Sequence, residues 1–259
     1  MELLVLHDKS MIAGFFNRNP GLHLMAIGDL DDFFFPKTCW FALTDRNVIQ
    51  TIALLYVGMA TPTLLLFHEG DPGYAIQLLE KIKTILPAKF NAHLSPGLFD
   101  VFGKQNLVEY YGLHYKMALK KVVDKHDDTN IRRLTEADLP VIKDFYTVSY
   151  PQNWFDSRML ETTKYFGYFI NNKLVGISGI HVYSEPYGIA ALGNIATHPD
   201  YRGQQIGYKV TSVLCHDLQK SIKLIGLNVK TSNEHAIKCY SKIGFEIIGT
   251  FDECCIKNG

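Results

Sequence analysis

The sequence has no surplus of charge of either sign: Lys plus Arg and Asp plus Glu both number 26 in 259 residues. Without a global field, neither nucleic acid nor an acidic membrane surface is an expected partner, and recognition must come from local sites. Its five cysteines, Cys39, Cys215, Cys239, Cys254 and Cys255, include no C-x-x-C pair and no regular spacing. That pattern suits a reducing compartment better than a disulfide framework. The vicinal Cys254 and Cys255 have no partners at metal-ligand spacing and read as neighbours on a late strand, so no metal is expected. The opening residues, with Glu2 and Asp8, lack the basic stretch and apolar core of a secretory signal, and a cytoplasmic setting is expected. An uninterrupted membrane-length run is missing too. Val48 to Phe67 comes nearest, but Gln50, Thr51, Gly58, Thr61, Pro62 and Thr63 break it, and it reads as two buried strands joined by a turn.

What the sequence does have is core-forming material, 47% hydrophobic over a length that accommodates two domains of ordinary size. The polar stretch Lys120 to Asn130, KKVVDKHDDTN, reads as the linker, with domains expected over 1–122 and 131–259. After it, Ile131 to Leu134 reads as a strand, and Thr135 with Asp138 forms a capping box ahead of a helix bearing Leu139, Ile142, Phe145 and Tyr146. A short helix is expected from Asp156 to Thr163. Strands over Tyr165 to Ile170 and Leu174 to Tyr183 flank an Asn171-Asn172 hairpin turn. Ala190 to Thr197 is a further strand, ended by His198-Pro199-Asp200.

From Gln204, Ile206, Val210, Val213, Leu214 and Leu218 recur every three or four residues, the buried stripe of an amphipathic helix. Leu224 to Val229 is a buried strand. Asn233 caps a last helix whose Ala236, Ile237, Tyr240 and Ile243 share a face and which Gly244 ends, with strands from Phe245 onward. The N-terminal half has a similar rhythm. Strands lie around Trp40 to Tyr56 with a turn near Asp45 to Asn47, and at Thr63 to Phe67. A helix then starts at Asp71-Pro72, buries Ala75, Leu78, Leu79, Ile82 and Leu86, and stops at Pro87. This is the pattern of a weak internal duplication without the chemical motifs.

The chemistry concentrates in His198 to Gly207, HPDYRGQQIG, between a strand and an amphipathic helix. Unpaired N–H groups and the positive end of the dipole at a helix start stabilise a phosphate. Gly203 and Gly207 permit close backbone approach, and Arg202 adds a cation. Downstream, Ala236 and Tyr240 lie four apart, so a small residue leaves room beside a phenol on one helix face.

The loop resembles the R/Q-x-x-G-x-G/A acyl-CoA pyrophosphate loop of the GNAT superfamily of N-acyltransferases: Arg202 and Gly207 match its ends, while Gln205 stands where the inner glycine is usual. Asn233 to Phe245, NEHAIKCYSKIGF, is similar to the superfamily's N-x-x-A-x-x-x-Y-x-x-x-G-F pattern at each fixed position, and the resemblance spans roughly residues 131 to 255. It implies an α/β (α+β) fold: a mixed, mostly antiparallel sheet flanked by helices, preceded by a smaller α/β domain resembling a degenerate copy of that fold. It further implies an enzyme that transfers an acetyl group from acetyl-CoA, as cosubstrate, to a primary amine of a small molecule or peptide.

The resemblance places the cofactor along Ile195, Ala196 and Thr197, over the loop residues Arg202, Gly203, Gln204, Gln205, Ile206 and Gly207, and beside Asn233 and Ala236. Tyr240 is then the catalytic acid: with a phenol pKa of about 10 against about 8.5 for a thiol, it can protonate the departing sulfur at neutral pH. Candidate bases for the amine are His181, Asn194 through a water, Glu185 and His198, none with supporting spacing. Tyr150, Trp154 and Phe155 suit either an acceptor pocket or packing between the halves. The alternative to an enzyme is a non-catalytic acyl-CoA-binding or sensing module.

Overall fold

The computed structural model describes residues 1–124 and 127–258. The chain divides into two units, one comprising Met1–Lys116, Lys230–Ser232 and Ile248–Gly259, the other Met117–Val229 and Asn233–Ile247.

The first unit is built on strands β1 (Glu2–Leu6), β2 (Thr38–Asp45), β3 (Val48–Tyr56), β4 (Thr63–Leu66), β5 (Lys89–Leu94) and β6 (Leu107–Leu119) as far as Lys116, with helices α1 (Lys9–Phe16), α2 (Leu24–Gly28) and α3 (Gly73–Ile82). Strands β1 to β4 are antiparallel in sequence order, and β4 then pairs in parallel with β5 across the α3 crossover. The β2–β3 turn forms because Arg46 and Asn47 both take positive φ, 48° and 64°, the left-handed pair whose twist matches a hairpin. Val48 to Phe67 is two strands and a turn, as its polar interruptions predict, and among the described residues no helix is long and apolar enough to cross a membrane. Helix α3 buries Ala75, Leu78, Leu79 and Ile82 against the sheet strands bearing Leu43, Leu64, Phe90 and Ala92.

The second unit holds β7 (Ile131–Arg133), α4 (Leu139–Ser149), β8 (Phe166–Ile170), β9 (Lys173–Ser184), β10 (Ile189–Thr197), α5 (Ile206–Leu218), β11 (Leu224–Lys230), α6 (Glu234–Ile243) and the start of β12 (Phe245–Lys257). Strands β7 to β10 are antiparallel in order, and β10 pairs in parallel with β11 across α5. This repeats the β3–β4–α3–β5 arrangement of the first unit. The Thr135–Asp138 capping box is present, with the Thr135 N–H donating to Asp138 at 2.9 Å. Asn171 and Asn172, at φ 48° and 61°, make the β8–β9 turn. Gly244 ends α6 at φ 119°. Helix α5 and Tyr165 lie on opposite faces of β9: a Cβ on Gly176 would meet Ile206, and one on Gly179, three residues on, would meet the Tyr165 ring.

Three features differ from the sequence reading. Asp156 to Thr163 is a 3-10 turn over Ser157–Thr162, begun by the Arg158 N–H donating to the Asp156 side chain and ended by Thr163 at φ 58°. The residues from Phe245 form one continuous strand whose last part, Asp252 to Lys257, pairs with β5, so Ile248–Gly259 joins the first unit rather than the domain expected over 131–259. Of the expected linker, Lys125 and His126 lie outside the described residues. Before them, Gln219 at the end of α5 holds the Lys121 carbonyl and the Val123 N–H, at 2.9 Å each.

Candidate active site

Strand β10 runs to Thr197 and β11 to Lys230, yet their parallel pairing extends only from Ile189↔Leu224 to Leu192↔Leu227. Past Leu192 the register of β10 against β9 also shifts, between Gly193 and Ala196, and Asn194 adopts φ 54°. The extra residue is a β-bulge that bends β10 away from its neighbour. Ile195, Ala196 and Thr197 therefore carry main-chain groups not bonded to β11, and all three are only half-buried.

The loop that follows presents a helix start without a side-chain cap. Among the described residues no side chain bonds the first N–H groups of α5, and its first turn holds no acidic residue. The first helical bond runs from the Lys209 N–H to the Gln205 carbonyl, 3.0 Å, so the N–H groups of Ile206, Gly207 and Tyr208 point outward at the positive end of the helix dipole. Gly203, at φ 79°, has open space where a Cβ would be. Gln205 takes φ 60°, the left-handed conformation a glycine would adopt there, so the loop keeps its path despite the substitution. Arg202, Gly203, Gln204 and Gln205 are exposed, whereas the Ile206 side chain is core, leaving only its main chain for a ligand. Lys242, absent from the sequence reading, reaches this loop from α6: its Nζ donates to Gln205 Oε1 at 2.9 Å and lies 4.3 Å from the centre of the Tyr208 ring.

On α6, Asn233 spends its carboxamide oxygen on the Ala236 N–H, 3.2 Å away, which fixes the helix start. Ala236 is half-buried. Tyr240 is 9% exposed and packs edge-on against Phe245, ring centres 6.1 Å apart. Burial, and then the nearby Cys239, Tyr150 and Cys215, push its phenol well above the ordinary range, so it keeps its proton through neutral and mildly alkaline pH. Tyr150 opens the segment 150–156.

That segment is anchored to the bulge. The Trp154 N–H donates to Asn194 Oδ1 at 3.0 Å, and the Phe155 ring sits 5.5 Å from those of both Tyr146 and Tyr165. Tyr150 and Trp154 remain 37% and 41% exposed. The four candidate bases separate. Asn194, 2% exposed, has both ends of its carboxamide bonded to protein. Glu185 lies in the β9–β10 turn with the Tyr183 hydroxyl 3.4 Å away, and His198 caps its own loop through Asp200. His181 is the extra residue of a bulge in β9, and a Cβ on Gly193 would lie 1.9 Å from its ring, so its imidazole lies against β10 where the pairing with β11 ends. Among the described residues no group of His, Cys, Asp and Glu could hold a metal ion.

The residues fit an acyl-CoA: outward N–H groups, two cations and open space for a diphosphate, and an unpaired strand edge for an amide-bearing arm. The sequence pattern of the Acetyltransferase (GNAT) family matches residues 129–245. No curated protein matches the chain. Among solved structures, the chain is similar in fold to a Drosophila protein (TM-score 0.70, 12% identity, 99% of each chain covered). It is also similar to a GNAT-family acetyltransferase from Colwellia psychrerythraea (0.59, 14%, covering 99% of this chain and 100% of that one). A tandem GNAT protein from the clavulanic acid biosynthesis pathway superposes with a TM-score of 0.55 at 12% identity, over 100% of this chain and 99% of that one. The strand end that has left β11, the uncapped helix start and the matched sequence pattern coincide over one stretch: residues 129–245 match the Acetyltransferase (GNAT) family.

Proposed function

We propose that the chain is an N-acetyltransferase that moves an acetyl group from acetyl-CoA to a primary amine on a small molecule or peptide. The observation that carries this reading is the combination of an uncapped, acid-free start of α5 with the end of β10 that has left β11. Arg202, Gly203, Gln204, Gln205 and the main chain of Ile206 and Gly207 would hold the diphosphate. Ile195 to Thr197 would hold the arm and the acyl carbonyl through main-chain N–H groups, and Asn233 and Ala236 would border it.

Acetyl-CoA supplies a thioester carbonyl as electrophile. The chain's part is to orient, to exclude water and to hold a proton. Main-chain N–H groups on the β11-facing edge of β10 stabilise charge on the carbonyl oxygen without reorganising, because past the bulge that edge no longer pairs with β11. As the C–N bond forms and the C–S bond breaks, Tyr240 gives the sulfur its proton. Its raised pKa keeps that proton in place at neutral pH, and the phenolate left behind regains a proton through solvent as the attacking nitrogen sheds one, which restores the phenol. Tyr150 and Trp154 border the acceptor's approach.

The reading is tested by thiol release from acetyl-CoA in a panel of amino acids, polyamines, aminoglycosides and peptides, with wild type and Tyr240→Phe side by side. The proposal expects one amine class to be turned over. It expects Tyr240→Phe to lose about 10²-fold in kcat while cofactor affinity is retained. CoA binding without thiol release from any amine indicates a binding module, and undiminished turnover by Tyr240→Phe removes that residue from the chemistry.

A further inference from the structure

We propose that Asn194 is a positioning residue that joins the acyl-bearing strand to the acceptor-side segment, an inference that rests on the acyl-transfer reading above. Positive φ at a non-glycine residue occurs at seven described positions, and Asn194 is the one within a strand. An L-residue in this conformation is disfavoured, less so for Asn, so surrounding structure must hold it.

Three groups do so. The Tyr146 hydroxyl donates to the Asn194 carbonyl oxygen at 2.6 Å, the Trp154 N–H donates to Oδ1 at 3.0 Å, and Nδ2 donates to the Tyr165 hydroxyl at 2.9 Å. Tyr165 in turn donates to the Ile180 carbonyl at 2.7 Å, which leaves its oxygen free to accept. Tyr146, Asn194 and Tyr165 are all buried, where no water replaces a bond left unmade.

This arrangement requires a carboxamide: one oxygen to meet an N–H donor and one NH2 to meet an oxygen whose own proton is committed elsewhere. A carboxylate offers the first and not the second. The same side chain therefore fixes two things, the bend that takes Ile195 to Thr197 off β11 and the main chain that carries Trp154. A load on the exposed Trp154 and Tyr150, such as an acceptor seated against them, reaches the acyl strand through one hydrogen-bonded residue, and misplacement of reacting groups by about 1 Å can cost 10²-fold in rate.

The test compares wild type with Asn194→Gly, which tolerates the backbone conformation but has no carboxamide, Asn194→Asp, and Tyr165→Phe, which leaves β10 untouched. Three quantities are measured: CoA affinity by calorimetry, kcat and acceptor KM with an amine the wild type acetylates, and acrylamide quenching of tryptophan in the free protein. Quenching reports on Trp154, because Trp40, the other tryptophan, is buried. The proposal expects CoA affinity within about threefold of wild type, kcat lowered roughly tenfold or more, acceptor KM raised, and Trp154 about twice as readily quenched. Folded variants with unchanged quenching and with kcat and KM within about twofold of wild type overturn it. If Asn194→Gly fails to fold, Tyr165→Phe decides by the same criteria. A wild type that binds no CoA refutes the acyl-transfer reading, whereas a wild type that binds CoA, with variants unchanged in both quenching and kinetics, refutes the tie alone.

Discussion

Lys242 Nζ donates a 2.9 Å hydrogen bond to Oε1 of Gln205, so a cation from the last turn of α6 stands at the loop that would carry a diphosphate. The side chain that replaces the usual glycine is thereby the one that brings a charge. Lys242→Gln should weaken CoA binding about three- to tenfold at low ionic strength, with the difference shrinking at high salt. Calorimetry at two salt concentrations checks both the loss and its screening.

Gln205 itself is strained at φ 60°. Gln205→Gly should relieve that strain and raise unfolding stability by about 1 kcal/mol, visible as a higher denaturation midpoint with an unchanged slope. A fall in stability would mean that the Lys242 bond outweighs the backbone term.

Gly179 has no room for a side chain, since its Cβ would lie 2.1 Å from the fully buried Tyr165 ring, whose hydroxyl is bonded at both ends. Gly179→Ala should destabilise by about 3 kcal/mol, as overpacking against a fixed ring does, and should also loosen the Asn194 network. Denaturant unfolding measures the first effect and Trp154 quenching the second.

In the first unit, Lys116 is 4% exposed, with its ammonium 3.8 Å from the centre of the Phe67 ring. Burial lowers its pKa from 10.5 to about 7. Between those values the unfolded chain binds a proton that the folded chain does not, so this group's destabilising effect is full below about pH 7 and fades as pH rises towards 10.5. Asp29, raised by burial from 3.8 to about 8, acts in the opposite sense: the folded state holds the extra proton, and stability falls as pH rises through that window. Lys116→Met should flatten the rise in stability above neutrality, which has a limiting slope of about 1.4 kcal/mol per pH unit. Asp29→Asn should flatten the fall below it. Chemical denaturation across pH 5 to 10 resolves the two limbs.

The parts of this architecture legible in the sequence are those encoded locally. The Thr135–Asp138 box, the Asn171-Asn172 turn, the α5 stripe and the Gly244 terminator each place chemistry within four residues of the feature they specify. Features that depend on distant pairing left little trace. The end of β12 against β5, and with it the membership of Ile248–Gly259 in the first unit, is set by strand register and not by any local signal. Strand β6 does not alternate and helix α2 has no side-chain cap, so neither declares itself locally, whereas the alternation of Phe90, Ala92 and Leu94 in β5 and the Asp8 cap of α1 are local signals that went unread. In the candidate site, the loop and Tyr240 were visible as motifs. The bulge at Asn194 showed only as a Gly-Asn step inside an apolar strand, a sign of a break but not of what holds it. Lys242 could not be found by spacing, because 37 residues separate it from Gln205.

The central claim is that the main chain around Gly203 and the start of α5 grips the diphosphate of an acyl-CoA. Isothermal titration calorimetry of the folded chain with CoA and with acetyl-CoA tests it most directly, alongside Gly203→Val, whose β-branched side chain would enter space that is open in the wild type at φ 79°. The account predicts one saturable site for both ligands and a loss of about tenfold or more in the variant, whose melting curve shows it still folded. Absence of binding heat for either ligand at concentrations on the order of millimolar, in wild type that melts cooperatively, would contradict it.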